Sequence, residues 1–260
     1  MVFTSEQKKL KEVFEAEFGS AAFDESWARM LIHSPEMFAA SVRLTAAPKK
    51  TSHLTPKIQA LISLAVSAAS THLHLPSIHR HTRAALAAGA TREEIVETLC
   101  LTSTLGIHAA TTGLPLLFEV LEERGEALPE DIATMSPHQL ALKADFEAKR
   151  GYWHKMWEQM LVLAPDFFDA FIEFSSVPWT NEGGKGVLEP KVKELIYCAF
   201  DASATHMYSP GLKLHIRKVL DLGGTKEELV EVMELATLLS ISTLDVGLEV
   251  LDQEMSNISL

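Results

Sequence analysis

One segment of this chain occurs twice. The run LTPKIQALISLAVSAASTHLHLPSIHRHTRAALAAGATREEIVETL, from Leu54, lies without a gap on LEPKVKELIYCAFDASATHMYSPGLKLHIRKVLDLGGTKEELVEVM, from Leu188, at a constant offset of 134 residues. Pro56, Lys57, Leu61, Ile62, Thr71, His72, Pro76, His81, Arg83, Leu86, Gly89, Thr91, Glu93, Glu94 and Glu97 each meet an identical residue. Chance does not give such a run, so one supersecondary unit has been duplicated. Upstream the likeness continues at a different offset, with Trp27 on Trp157, Pro35 on Pro165 and SPEMFAA (34–40) on APDFFDA (164–170). The change of offset fits an insertion around NEGGKG (181–186), a loop signal with no GK[ST] to make it a phosphate cradle. Turn residues cluster at LPEDIATMSPHQ (128–139), which puts the first repeat at 1–130 and the second at 131–260.

Each copy reads as helices only. Thr55 and Pro56 supply an N-cap and a first helical position, and Ile58, Leu61, Ile62, Ala65 and Val66 follow at helical spacing, with an expected end near His72. Pro76 turns the chain, Ile78 to Leu86 forms a second helix, and Gly89 stops it. Thr91 with Glu94, and Thr225 with Glu228, have the spacing of capping boxes, which assigns both glutamates to structure. The expected fold is therefore all-α, a helical bundle made by tandem duplication.

Several partner classes are disfavoured by composition. A formal charge of −12 leaves no basic field for phosphates, so neither nucleic acid nor an anionic membrane surface is an expected partner. The opening MVFTSEQKKLKEVFEAEF places charges where an export signal needs an apolar run, which predicts a cytoplasmic protein. Residues 98–118 carry no Asp, Glu, Lys or Arg, and their Thr, Gly, His and Pro content favours a buried core or interface helix over a membrane span. Cys100 and Cys198 are far apart and form no CxxC, which removes thiol–disulfide chemistry.

Histidine carries the remaining chemistry. Thr-His followed nine residues later by His-x-Arg occurs in both copies: Thr71, His72, His81 and Arg83, then Thr205, His206, His215 and Arg217. An imidazole lining a pocket can take a proton or return one to a carbanion, while the bland alternative is a packing histidine. His72 and His206, at the ends of long helices, suit a helix dipole equally well. Arg83 and Arg217 are candidates for binding a substrate carboxylate, or else surface residues. His72, His74, His79 and His81 crowd into ten residues and invite a metal. No carboxylate or cysteine stands among them, and His74 and His79 become Tyr208 and Lys213 in the second copy, so no metal is expected. Glu97 and Glu231 could orient a histidine or sit solvated on the surface.

The run HTRAALAAGATREEIVE at 81–97, after a PKxxxLIxLAVSAA helix, resembles the carboxymuconolactone decarboxylase and alkylhydroperoxidase-D-like family. HIRKVLDLGGTKEELVE at 215–231 is similar, which makes the chain look like a tandem member. In the peroxidase branch a CxxC precedes the histidine; here those positions hold His74 and Ser77, and Tyr208 and Gly211, so thiol peroxidase activity is not implied. The branch's relay glutamate is matched by Glu194 in the second copy and by Ala60 in the first. The resemblance implies a lyase (decarboxylase) or isomerase that needs no metal or organic cofactor, acting on a small carboxylated or carbonyl metabolite through His81 or His215. The tyrosine-glycine-proline run of the decarboxylase branch is missing. A non-catalytic ligand-binding or assembly protein on the same fold is the alternative. Single-domain relatives commonly form hexamers, so a fused pair implies a homotrimer.

Overall fold

A computed structural model describes residues 2–126, 135–151, 153–154, 157–184 and 186–258. In chain order the helices are α1 (Ser5–Phe18), α2 (Glu25–His33), α3 (Pro35–Thr51), α4 (Pro56–Ala68), α5 (Leu75–Ala87), α6 (Arg92–Ser103) and α7 (His108–Glu123). The second series is α8 (Pro137–Arg150), α9 (Glu158–Leu163), α10 (Pro165–Gly184), α11 (Pro190–Ala202), α12 (Ser209–Asp221), α13 (Lys226–Thr237) and α14 (Ser242–Ile258). Among the described residues there is no strand. The fold is all-α and duplicated.

Local chemistry places the helix starts. The Thr55 hydroxyl accepts from the Ile58 amide and Pro56 occupies the first turn of α4, as the sequence predicts. Both capping boxes form, at Thr91/Glu94 and at Thr225/Glu228. Gly89 and Gly223, at φ +84° and +78°, stop α5 and α12 in a backbone state that a Cβ disfavours. Two boundaries differ from expectation. α4 ends at Ala68, ahead of His72, and α10 continues through 181–184, where NEGGKG reads as a loop. Most of the proposed boundary segment 128–139, namely 128–134, lies outside the described residues.

The chain forms two compact units that do not follow the repeats: one holds residues 1–90 and 194–260, the other 91–193. In the first unit the second copy's α13 packs on α3 and α4, and its α14 packs on α2. In the second unit the first copy's α6 packs on α10, and its α7 on α9. Each repeat thus completes its partner's core with its last two helices.

The two cores show the exchange residue by residue. Phe14, Trp27 and Phe38 form an aromatic cluster covered by Ile241, Leu244 and Leu248 from the second copy. Phe146, Trp157 and Phe168 form its counterpart, covered by Ile107, Ala110 and Leu114, the same repeat positions from the first copy. Burying one such aromatic ring contributes roughly 1.5–3 kcal/mol.

Glu97 and Glu231 hold the exchanged helices in place. Each is 1% exposed, so neither is a solvated surface residue. The Glu231 carboxylate accepts from the amides of His53 (2.7 Å) and Leu54 (3.2 Å) and from Gln59 Nε2 (2.6 Å), tying α13 to the entry of α4. The Glu97 carboxylate accepts from the amides of Val187 (2.7 Å) and Leu188 (2.9 Å) and pairs with Lys193 Nζ at 2.9 Å. Lys193, fully buried where the first copy has Gln59, also donates to the Pro178 carbonyl. Gly186 has φ +70°, and a Cβ there would run into Lys193 and Glu97, so glycine is required.

The apolar stretch from Arg92 to Glu123 is long and apolar enough to cross a membrane by length and composition. A 3-10 turn at Thr104–Ile107 divides it into α6, with Ile95, Thr98 and Leu101 buried, and α7, which leaves Leu116, Leu117 and Val120 exposed.

Candidate functional site: two unlike histidines

The first unit contains both histidine motifs. After α4 and α11 the chain makes the same turn, through a left-handed Leu73 (φ 47°) in one copy and Met207 (φ 54°) in the other. The turn closes with His74 N–H donating to the Ser67 carbonyl (3.1 Å) and Tyr208 N–H donating to that of Asp201 (2.9 Å). Thr71 and Thr205, from the two motifs, meet at 3.4 Å. One backbone frame thus presents His81 on α5 and His215 on α12.

In the second copy the frame carries a dyad. His215 Nδ1 lies 2.6 Å from Glu194 Oε2, and its ring stacks on Tyr197 with centroids 4.5 Å apart and planes at 25°. Glu194 and Tyr197 stand one turn apart on α11, so both reach the same face. The Glu194 carboxylate fixes the tautomer of the neutral ring, with Nδ1–H donating, and leaves Nε2 outside the pair. Two turns along α11, Asp201 is fully buried, and burial, then the Glu194 charge, push its carboxyl up to about 8. His206 Nε2 lies 3.9 Å from Asp201 Oδ1, and burial lowers the pKa of His206.

In the first copy the same three positions hold Ala60, Ser63 and Ser67. Carboxylate and aromatic ring are both missing, and a cavity of about 490 Å³, lined by Ala60, Ser63 and His81, opens on this side of α4. Burial first, then the charges of Arg80 and His74, push His81 down to about 3, so its ring is neutral at ordinary pH. Arg80 also lines the cavity, with Nη2 2.9 Å and Nε 3.1 Å from Asp24 Oδ2 and Nη2 3.4 Å from Asp245 Oδ2.

The other singled-out residues are dispersed. Arg83 and Arg217 are exposed and do not line the cavity; the arginine that does is Arg80, one turn earlier on α5. The four clustered histidines are not gathered into a site. As the N-cap of α5, His74 Nδ1 accepts from the Ser77 amide at 3.3 Å and lies 2.7 Å from Ser77 Oγ, His79 is exposed, and His72 Nε2 lies 3.3 Å from Ser242 Oγ. Burial lowers the pKa of both His72 and His74. Cys198 is fully buried, and burial with the nearby Glu194 and Asp201 charges pushes its thiol far up, so it is no thiolate. Sequence reasoning missed Arg80 because its partners, Asp24 and Asp245, come from distant helices, and missed Asp201 because its shift depends on burial, which local spacing does not report.

Fold and site define a class: a duplicated helical protein of the alkylhydroperoxidase-D-like architecture with histidines, and no cysteine pair, at its motif positions. The model of the carboxymuconolactone decarboxylase family matches residues 35–117 and 165–242, one span in each repeat. This chain belongs to that family. It is also similar to a crystal structure from Burkholderia xenovorans described as a candidate gamma-carboxymuconolactone decarboxylase subunit, with 43% identity, a TM-score of 0.87, and coverage of 96% of this chain and 98% of that one. No curated protein sequence matches.

Proposed function

We propose that the protein is a cofactor-independent lyase or isomerase in which His215, positioned by Glu194, moves a proton on a small carboxylated or carbonyl metabolite. The observation that carries this reading is the 2.6 Å contact between Glu194 and His215. Glu194 aligns and partly neutralises the ring when Nε2 carries a proton, the role a carboxylate plays beside any acid–base histidine. Decarboxylation breaks the bond to the departing CO2 and leaves its electron pair on a carbon conjugated with a carbonyl. His215 Nε2–H then protonates that carbon, and solvent restores the proton. An isomerisation uses the same nitrogen first as base and then as acid.

Family membership and the likeness to the Burkholderia protein support the decarboxylase-like class. We read the protein as cytoplasmic and homotrimeric; the exposed Leu116, Leu117 and Val120 on α7, with Val246, Val250 and Leu251 on α14, offer apolar faces for such an assembly. A clean monomer in native mass spectrometry contradicts the trimer.

The test is CO2 release from a carboxylated muconolactone by purified variants. His215→Asn is expected to lose about 100-fold or more in kcat, and Glu194→Gln about tenfold or more, while His81→Gln stays within about threefold of the parent. Loss of turnover in His81→Gln with His215→Asn unaffected reverses the assignment.

A further inference from the structure

We infer that the cavity beside His81 is a second, separate binding site, whose ligand is an uncharged and mostly apolar molecule carrying one hydroxyl, of the size and polarity of an alkylphenol. Nothing in the proton-transfer reading of His215 requires this site. The space comes from sequence. Ala60 and Ser63 stand where Glu194 and Tyr197 fill the second copy, and deleting a carboxylate and a phenol ring from one helix face leaves room beside the histidine.

The walls are chiefly apolar, with Phe14, Trp27, Leu235 and Leu238 facing the opening left by Ala60. A cavity of about 490 Å³ accommodates an aromatic ring with a short chain. Two polar atoms on its walls define what the ligand must offer. Thr45 Oγ1 is buried and has no hydrogen-bond partner among the described residues, an arrangement that costs about 1–3 kcal/mol unless a ligand or water satisfies it. His81, neutral at ordinary pH, presents a ring that can accept from a hydroxyl. Ser63 Oγ donates to the Gln59 carbonyl at 2.8 Å and keeps its lone pairs for a further donor.

The charges argue against an anion. Arg80, the guanidinium on the cavity wall, is engaged by Asp24 and Asp245, so its charge is already matched by carboxylates of this chain. Lys49, the other cation on the walls, is exposed and lies 4.4 Å from the centre of the Phe18 ring. A carboxylate entering beside His81 would therefore shed its hydration shell against a guanidinium that two carboxylates already engage.

Isothermal titration with 4-ethylphenol, 4-ethylbenzoate and 4-ethylanisole separates the possibilities on the full-length protein. The phenol is expected to bind with a Kd below about 1 mM, and the benzoate and the methyl ether about tenfold more weakly or worse. Thr45→Val should weaken the phenol by about three- to tenfold. Refilling the cavity with the second copy's residues, as Ala60→Glu with Ser63→Tyr, or with the single change Ala60→Leu if the double variant melts early, should abolish binding. His215→Asn should leave the phenol affinity unchanged, which keeps this result separate from the fate of the proton-transfer reading. Equal or tighter binding of the benzoate, unchanged binding in a natively folded Ala60→Leu protein, or no phenol binding at all overturns the inference.

Discussion

His81 and His215 occupy equivalent places on α5 and α12, yet their surroundings have little in common. His215 is clamped between a carboxylate and a phenol ring, whereas His81 looks into a cavity where those groups have shrunk to Ala60 and Ser63. Duplication lets one copy hold a carboxylate–imidazole pair while the other opens into a pocket. The histidine alone therefore does not set its surroundings; the residues one helix away do. The same lesson holds for the glutamates of the exchanged helices, since Glu231 meets a neutral Gln59 and Glu97 a buried ammonium.

The largest expected effect sharpens that second contrast. Glu97→Gln strands the Lys193 charge in a fully buried position and should cost about 3–5 kcal/mol in denaturant unfolding. Glu231→Gln leaves only neutral donors poorly matched and should cost about 1–3 kcal/mol. Equal losses would mean that Lys193 is not charged where it sits. Next comes the aromatic pair. Phe38→Ala and Phe168→Ala should each lose about 3–5 kcal/mol, and a large inequality would show that the two cores are not the counterparts their exchanged helices suggest.

pH dependence distinguishes the copies by sign. With His81 held down to about 3, the unfolded chain takes up its proton first as pH falls below about 6.5, so this histidine lowers stability progressively between about pH 6.5 and about 3. Asp201 acts oppositely. The unfolded carboxyl loses its proton above about 3.8 while the folded one keeps it to about 8, so stability contributed at acid pH is lost as pH rises through that window. His81→Gln should remove the destabilisation that grows as pH falls from about 6.5 to about 3, and Asp201→Asn the stability loss that grows as pH rises from about 3.8 to about 8. The smallest effect is expected at Arg83 and Arg217, whose exposed positions predict changes within about 0.5 kcal/mol on mutation to Gln.

Much of the helix pattern was readable because it is local. Thr55–Pro56, the two capping boxes and the stops at Gly89 and Gly223 announce themselves within four residues, and they form as expected. Trp27 and Trp157 likewise mark equivalent core positions. What escaped was long-range. Burial of Glu97 and Glu231 depends on the exchange of α6 and α13, which no spacing within one repeat reports. Arg80 lines the cavity in place of Arg83 because Asp24 and Asp245 draw it there from α2's N-cap and from α14. Asp201 becomes a titrating group only through burial beside Glu194. Glu194 itself was legible, but only through the family resemblance; its contact with His215 joins two helices that sequence spacing does not bring together.

The most direct test of unlike histidines is a long-range proton–nitrogen NMR spectrum of the imidazole side chains across pH. His215 should show a low-field Nδ1 proton that disappears in Glu194→Gln, and the His81 ring should stay neutral from about pH 8 down to about pH 4. A His81 that titrates near 6.5 like a free imidazole, together with a His215 lacking that proton, would contradict this contrast.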